Sequence, residues 1–158
     1  MSNDPGQGPT SGVTPHLTIP DGRCREAIAF YGQAFGAEQA MPTIAAGDTP
    51  PMGEEAPDMA GDERIMHAHL SINGGSLMLN DAFPEFVAEQ DRDTGAPAWT
   101  TLHLQVDDAD RWFERATAAG ATAKMPLADQ FWGDRYGQLN DPFGFTWSIG
   151  GPIKGEVK

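Results

Sequence analysis

The sequence predicts an α+β fold in which one β-α-β-β-β module is used twice in tandem, and three observations carry that expectation. First, the chain resembles itself. Pro15-His-Leu-Thr-Ile-Pro-Asp21, a helical stretch and Gly36-Ala-Glu-Gln-Ala-Met-Pro42 are echoed by Leu102-His-Leu-Gln-Val-Asp-Asp108, a helical stretch and Gly120-Ala-Thr-Ala-Lys-Met-Pro126. Second, the glycines and the Met-Pro pairs of the two copies share one offset of 84 residues, whereas His16 and His103 stand 87 apart, so three residues separate the copies near the helix. Third, 158 residues suffice for one domain with a real core but not for two independent ones. Repeats of this kind pack so as to share a core.

The elements follow in order. Residues 1–12 hold no large apolar side chain beyond the initiator and are expected as a disordered tail. Module one, 13–81, opens with a strand over Val13–Ile19. A helix follows from Arg25 to Phe35, its stripe formed by Ala27, Ile28, Tyr31 and Phe35 and its stop by Gly36. Residues 38–43 suit a short strand. The stretch from Ala45 to Asp62 is rich in Pro, Gly and acid, with Met52 and Met59 its main large apolar residues. It reads equally as a surface excursion or as a lid or dimer arm. Arg64–Ile72 and Ser76–Asn80 then make a hairpin around Asn73-Gly74-Gly75. After a connection at 82–97, module two, 98–150, repeats the plan. It has a strand over Trp99–Val106, a helix over Ala109–Ala119, a short strand near 121–125, and two strands about the Asn140-Asp-Pro-Phe-Gly144 turn. Residues 151–158 form a C-terminal tail, so 13–150 reads as one domain.

A formal net charge of −13 argues against nucleic acid and anionic membrane as partners, because gripping phosphates needs clustered Lys and Arg. No apolar run approaches the roughly 20 residues that span a bilayer, and the N-terminus shows no signal-peptide pattern, so a cytoplasmic location is expected. Cys24 stands alone, which precludes an intrachain disulfide and fits a reducing compartment; its expected role is packing near a helix start.

Separating the two faces of each strand reveals the candidate site. Leu17 and Ile19 oppose Thr14, His16 and Thr18; Met66, Ala68, Leu70 and Ile72 oppose His67, His69 and Ser71. In module two, Leu102, Leu104 and Val106 oppose Thr101, His103 and Gln105, and Phe145, Trp147 and Ile149 oppose Thr146 and Ser148. The apolar faces belong under the helices. The opposite faces carry all four histidines with hydroxyls and an amide, a polar but nearly uncharged lining that suits a partly enclosed cavity better than open water. His67 and His69, two apart on one strand, have the spacing of a metal pair, yet these faces offer no carboxylate to accompany them.

These motifs resemble the vicinal oxygen chelate superfamily, also called the glyoxalase, bleomycin-resistance and dioxygenase superfamily. Its PhnB-like (YjdN-like) group is the nearest match, through Pro15-His-Leu-Thr, the stretch from Asp21 to Gly36, Met66-His-Ala-His-Leu70, Gly74-Gly-Ser-Leu-Met78 and the Trp132–Trp147 segment. The resemblance covers about 13–150 and implies curled sheets around a cavity, usually in a homodimer. Metal-dependent enzymes of the superfamily hold an ion with His or Gln on the first strand, Glu on the fourth, His on the fifth and Glu on the eighth. Here those positions fall on His16 or Thr14, on Leu79, on Thr101 with His103 two residues away, and on Ser148. Both carboxylates are missing, so the usual chemistry does not carry over.

The expected function is therefore binding of a small molecule in a histidine-lined cavity, by a homodimer without an obligatory metal cofactor. The candidate ligand-binding residues are His16, His67, His69, Thr101, His103, Gln105, Ser148, and the rim residues Trp132, Arg135 and Tyr136. Arg135 suits either an anionic or carbonyl group of the ligand or a structural pairing with Asp134 or Asp141. Phe143 and Trp147 suit the core. The alternatives are a metal-dependent lyase, isomerase or dioxygenase, with Glu54 or Glu55 as an added ligand, and a drug-sequestering resistance protein.

Overall fold

Pro15 and Pro20 bracket the first strand, so β1 spans only His16–Ile19, shorter than the Val13 start expected, and Val13 is wholly exposed. The computed structural model describes residues 12–49, 57–86 and 100–155. The chain divides into two units: Met1–Ala29 with Ala37–Glu85, and Phe30–Gly36 with Phe86–Lys158. The order of elements confirms the α+β fold of two tandem modules: the second is β-α-β-β-β, and the first carries one short strand more. Among the described residues no helix is long and apolar enough to cross a membrane.

The helix α1 (Cys24–Phe35), which belongs to unit one up to Ala29 and to unit two from Phe30, follows a turn at Pro20–Gly22 in which Asp21 takes φ 62°. The short strands β2 (Glu38–Gln39) and β3 (Ile44–Ala45) both pair with β4 (Ile65–Ile72). The sequence pattern missed β3, because Thr43, Ile44 and Ala45 carry too short an apolar run to register. β4 and β5 (Gly75–Asp81) form the expected hairpin, with Asn73 at φ 49° and Gly74 at φ 81°, the left-handed pair that a tight two-residue turn requires. The sheet order is β1-β5-β4-β2, with β1 parallel to β5. Buried Asp81 pins the start of α1 to the start of β4, accepting from the backbone N–H of Cys24 at 2.9 Å and of Ile65 at 2.6 Å. Cys24 is fully buried, and burial, reinforced by Asp81, pushes its thiol up to about 12, which makes it the packing residue expected.

The long stretch after β3 begins with a turn at Ala46–Asp48, and Gly47 N–H reaches Asp62 O at 2.8 Å. Met52, Glu54 and Glu55 lie outside the described residues, as do residues 1–11, most of the 82–97 connection and Trp99.

Unit two contains β6 (Thr101–Gln105), α2 (Ala109–Ala119), β7 (Thr122–Asp129), β8 (Asp134–Asn140) and β9 (Thr146–Pro152), ordered β6-β9-β8-β7 with β6 parallel to β9. β7 runs to Asp129, past the 125 expected, because Pro126 sits in an edge strand where its missing N–H is tolerated. β9 continues to Pro152, into what reads as tail. Asp108 caps α2 by accepting from Arg111 N–H, and Gly120 at φ 124° ends it. α2 lies close against the sheet where side chains are absent: a Cβ on Gly137 would come 3.0 Å from Phe113, and one on Gly151 3.4 Å from Ala109.

The core of unit two is built around buried Asp141. Its Oδ2 accepts from Tyr31 Oη at 2.7 Å and Trp147 Nε1 at 2.8 Å, and its Oδ1 from the N–H groups of Phe143 and Phe145. Phe143 and Trp147 are core residues, as expected; Trp147 packs 4.7 Å from Phe35 between ring centres.

Candidate functional site

Because side chains alternate along a strand, residues that are partners in register share one side of their sheet. In unit one His16 stands opposite Met78, and Met78 opposite His69, forming one row across β1, β5 and β4. Thr18 and Asn80 form the next row and are joined by a 3.0 Å hydrogen bond. His67 lies on the same side two residues before His69, and its ring stands perpendicular to that of His16, 6.5 Å between centres. Burial, with His16 and His69 adding to it, lowers the basicity of His67 and favours the neutral imidazole. His69 is only 1% exposed, and neither of its ring nitrogens has a hydrogen-bond partner among the described residues.

Leu79 occupies the other side. It is fully buried beneath the apolar face, so the position counted from the turn glycines is not with the histidines; Met78 and Asn80 are. Thr14 precedes β1, whereas His16 is in register within it, which separates the two candidates for the first-strand position.

In unit two three rows cross the sheet. Thr101, Thr146 and Asn140 form the first; His103, Ser148 and Gln138 the second; Gln105, Gly150 and Tyr136 the third. His103 is held at both nitrogens, by Ser148 Oγ at 2.7 Å from Nδ1 and by Gln105 Oε1 at 2.9 Å from Nε2. An amide oxygen can only accept, so Nε2 carries the proton and Nδ1 accepts from the serine hydroxyl. Gly150 makes room for this arrangement, since a Cβ there would meet His103 Cε1 at 3.0 Å and Gln105 Oε1 at 3.1 Å. The Tyr136 ring lies nearly parallel to His103, 6.1 Å away, and its hydroxyl accepts from Gln138 Nε2 at 3.0 Å. Trp132, about half exposed, meets the Tyr136 ring edge-on at 5.5 Å, with exposed Phe131 beside it. Among the described residues charge reaches this side at its margins: Asp134 starts β8 opposite Pro152, and Lys124 Nζ comes within 3.5 Å of Thr146 Oγ1.

Unit one thus brings together His16, His67 and His69, and unit two Thr101, His103, Gln105, Ser148 and Tyr136 with Trp132 at the edge. Arg135 is a correction. It shares its row with Gly151 and Asp129 on the helix side of the sheet, and its guanidinium bonds Asp110 at 2.9 Å and Asp129 at 3.1 Å instead of Asp134 or Asp141. Those two carboxylates neutralise the guanidinium and take two of its five N–H donors on the side of the sheet away from the histidines. The sequence reading also missed Met78, Asn80 and Gln138, although the alternation that marked the histidines, continued along β5 and β8, would have found them.

The divalent ion implied by the resemblance does not fit this donor set. Among the described residues no three His, Cys, Asp or Glu side chains converge to hold an ion. Both nitrogens of His103 are engaged, and the buried carboxylates of Asp81 and Asp141 are committed to backbone and aromatic donors. Among the described residues the carboxylates that register puts on these sides, Glu38 opposite Ser71 and Asp134 opposite Pro152, stand outside the histidine rows, so an M²⁺ ion on the imidazoles would lack charge compensation.

A sequence profile described as the Glyoxalase/Bleomycin resistance protein/Dioxygenase superfamily matches residues 14–149. The uncharacterized protein Rv0887c of Mycobacterium tuberculosis is 39% identical over 144 residues, covering 90% of this chain and 75% of that protein. Protein YjdN of Escherichia coli is 32% identical over 150 residues, covering 87% of this chain and 92% of YjdN. The crystal structure of protein PA1353 from Pseudomonas aeruginosa superposes with a TM-score of 0.65 at 28% identity, over 90% of this chain and 98% of that one.

Proposed function

The chain belongs to the glyoxalase/bleomycin resistance protein/dioxygenase superfamily, within its PhnB-like (YjdN-like) group, and from that premise we propose that it binds a small, polar, uncharged molecule without an obligatory metal. The observation that carries this reading is the composition of the two histidine-bearing sheet faces. Their central rows hold imidazoles, hydroxyls and amides in register and no charged side chain. Such a surface rewards a ligand that both donates and accepts hydrogen bonds, and its central rows offer nothing to neutralise a full charge. Buried His69, whose two ring nitrogens have no partner among the described residues, supports the same reading, because a buried polar group of this kind wants a partner. Trp132 and Tyr136 add an aromatic wall for a planar ligand.

A homodimer in the cytoplasm completes the proposal. Its support is the exposure of Met125, Phe131 and Trp132 on one hairpin, apolar surface of the kind that a second copy covers. Light scattering of the purified chain tests it.

The test of binding is a thermal-shift screen of neutral, ring-bearing metabolites against chelator-treated protein, followed by titration with tryptophan fluorescence. A ligand binding once per chain, weakened at least tenfold by His103→Ala or His69→Leu, is the expected result. Ligands that bind equally well to both variants would show that the histidine faces are not the site.

A further inference from the structure

Across the second row of unit two, three neighbouring strands present a base, a hydroxyl and an amide in sequence: His103 on β6, Ser148 on β9 and Gln138 on β8. From this juxtaposition we propose that Ser148 is a nucleophile activated by His103, and that the protein cleaves small carboxylic esters bearing an aromatic leaving group. The proposal goes beyond ligand binding and does not rest on it.

The geometry meets the requirements for an activated hydroxyl in turn. The nucleophile is within hydrogen-bond reach of the base, with Ser148 Oγ 2.7 Å from His103 Nδ1. The base is oriented by a third group, since Gln105 Oε1 at 2.9 Å from Nε2 keeps the proton on that nitrogen and leaves the Nδ1 lone pair facing the serine. The absence of a side chain at Gly150 is what allows the imidazole and the Gln105 amide to lie over β9. Gln138, in register with Ser148 on the side away from His103, brings an amide whose Nε2 has two hydrogens, one of them given to Tyr136 Oη at 3.0 Å. The second is the candidate donor to an oxyanion. His103 is exposed but Ser148 is only 2% exposed, so a substrate enters from the His103 side and its acyl carbon reaches Oγ only as the neighbouring side chains give way; Trp132 against Tyr136 supplies a surface for an aryl group.

The step balances without any co-reactant beyond water. Ser148 Oγ bonds to the acyl carbon as its proton passes to His103 Nδ1. The tetrahedral oxyanion then collapses, the C–O bond to the leaving group breaks, and the imidazolium returns the proton to the departing oxygen. Water, deprotonated by the same nitrogen, attacks the acyl-serine and regenerates the hydroxyl. Gln105 is neutral, so it fixes the tautomer of His103 without stabilising the imidazolium as a carboxylate would, and turnover is expected to be slow and confined to activated esters.

The experiment treats the full chain with a fluorophosphonate probe and maps the adduct by peptide mass spectrometry, alongside hydrolysis of p-nitrophenyl acetate. One adduct per chain on Ser148 is expected, together with a burst of p-nitrophenol no larger than one equivalent. Ser148→Ala removes adduct and burst, and His103→Gln lowers the rate about 100-fold with KM little changed. Failure of excess probe to mark Ser148 in the unaltered protein overturns the proposal without relying on any variant, as does undiminished turnover by Ser148→Ala. Ligand binding measured by thermal shift stands or falls separately from both results.

Discussion

Alanine at position 150 would disturb the candidate site without altering any of its polar groups. The new methyl group would stand 3.0 Å from His103 Cε1 and 3.1 Å from Gln105 Oε1. Carbon atoms prefer about 3.5–4.0 Å, so the ring and the amide must withdraw by roughly 0.5–1 Å. That movement stretches the His103–Gln105 bond from 2.9 Å to beyond about 3.5 Å, where it no longer counts as a hydrogen bond. Losing it costs about 1 kcal/mol and the crowding about another 1 kcal/mol, offset by about 0.5 kcal/mol from a stiffer unfolded chain. The net cost of about 1.5 kcal/mol lowers the melting temperature by about 3–6 °C for a chain of this length. Calorimetry measures the shift, and imidazole ¹⁵N spectra report the tautomer: His103 holds its proton on Nε2 in the native protein and exchanges between nitrogens in the variant. An unchanged tautomer with melting temperatures within 1 °C would refute the argument that Gly150 sets the orientation of His103.

Removing the carboxylate of Asp141 by Asp141→Ala strands the buried donors of Tyr31 and Trp147, at about 4 kcal/mol and a melting-temperature loss of about 8–16 °C; urea unfolding followed by tryptophan fluorescence checks it, and a loss under 3 °C would contradict it. Cys24, its thiol raised to about 12, resists iodoacetamide at pH 8 in the folded protein and reacts in urea, whereas equal rates in both states would show an accessible thiolate. His67 titrates below 6.5 because burial and its neighbours His16 and His69 disfavour its cation. The folded protein therefore binds fewer protons at His67 than the unfolded chain as pH falls through 6.5, and this contribution to stability declines on acidification. An NMR midpoint for His67 at or above 6.5 would contradict the lowered basicity.

Much of this architecture is legible in the residues because local signals agree. Asn73-Gly74 demands a tight turn, Asp108 and Gly120 bound α2, and alternation puts His103 and Ser148 on one face and Trp147 on the other. What escaped was set by pairing between strands. Arg135 sits one residue from Tyr136 and so faces the opposite side, but only the register of β8 with β9 and the approach of Asp110 from α2 show what its guanidinium does. Likewise the turn glycines mark where β5 begins without revealing which parity meets His16, and the count falls on Leu79 when Met78 is the partner. Strand ends shift for the same reason: β7 extends past Pro126 because it is an edge, a property of the sheet and not of the segment.

The central claim, binding on the histidine-bearing sheet faces without an obligatory metal, is tested most directly by titrating a ligand from the screen into protein stripped with chelator, then repeating the titration with zinc, nickel, manganese or iron(II) restored. The expected result is the same affinity, within twofold, in every titration. Binding that appears only when a divalent metal returns, and that disappears in His69→Leu, would contradict the claim and make the histidines metal ligands.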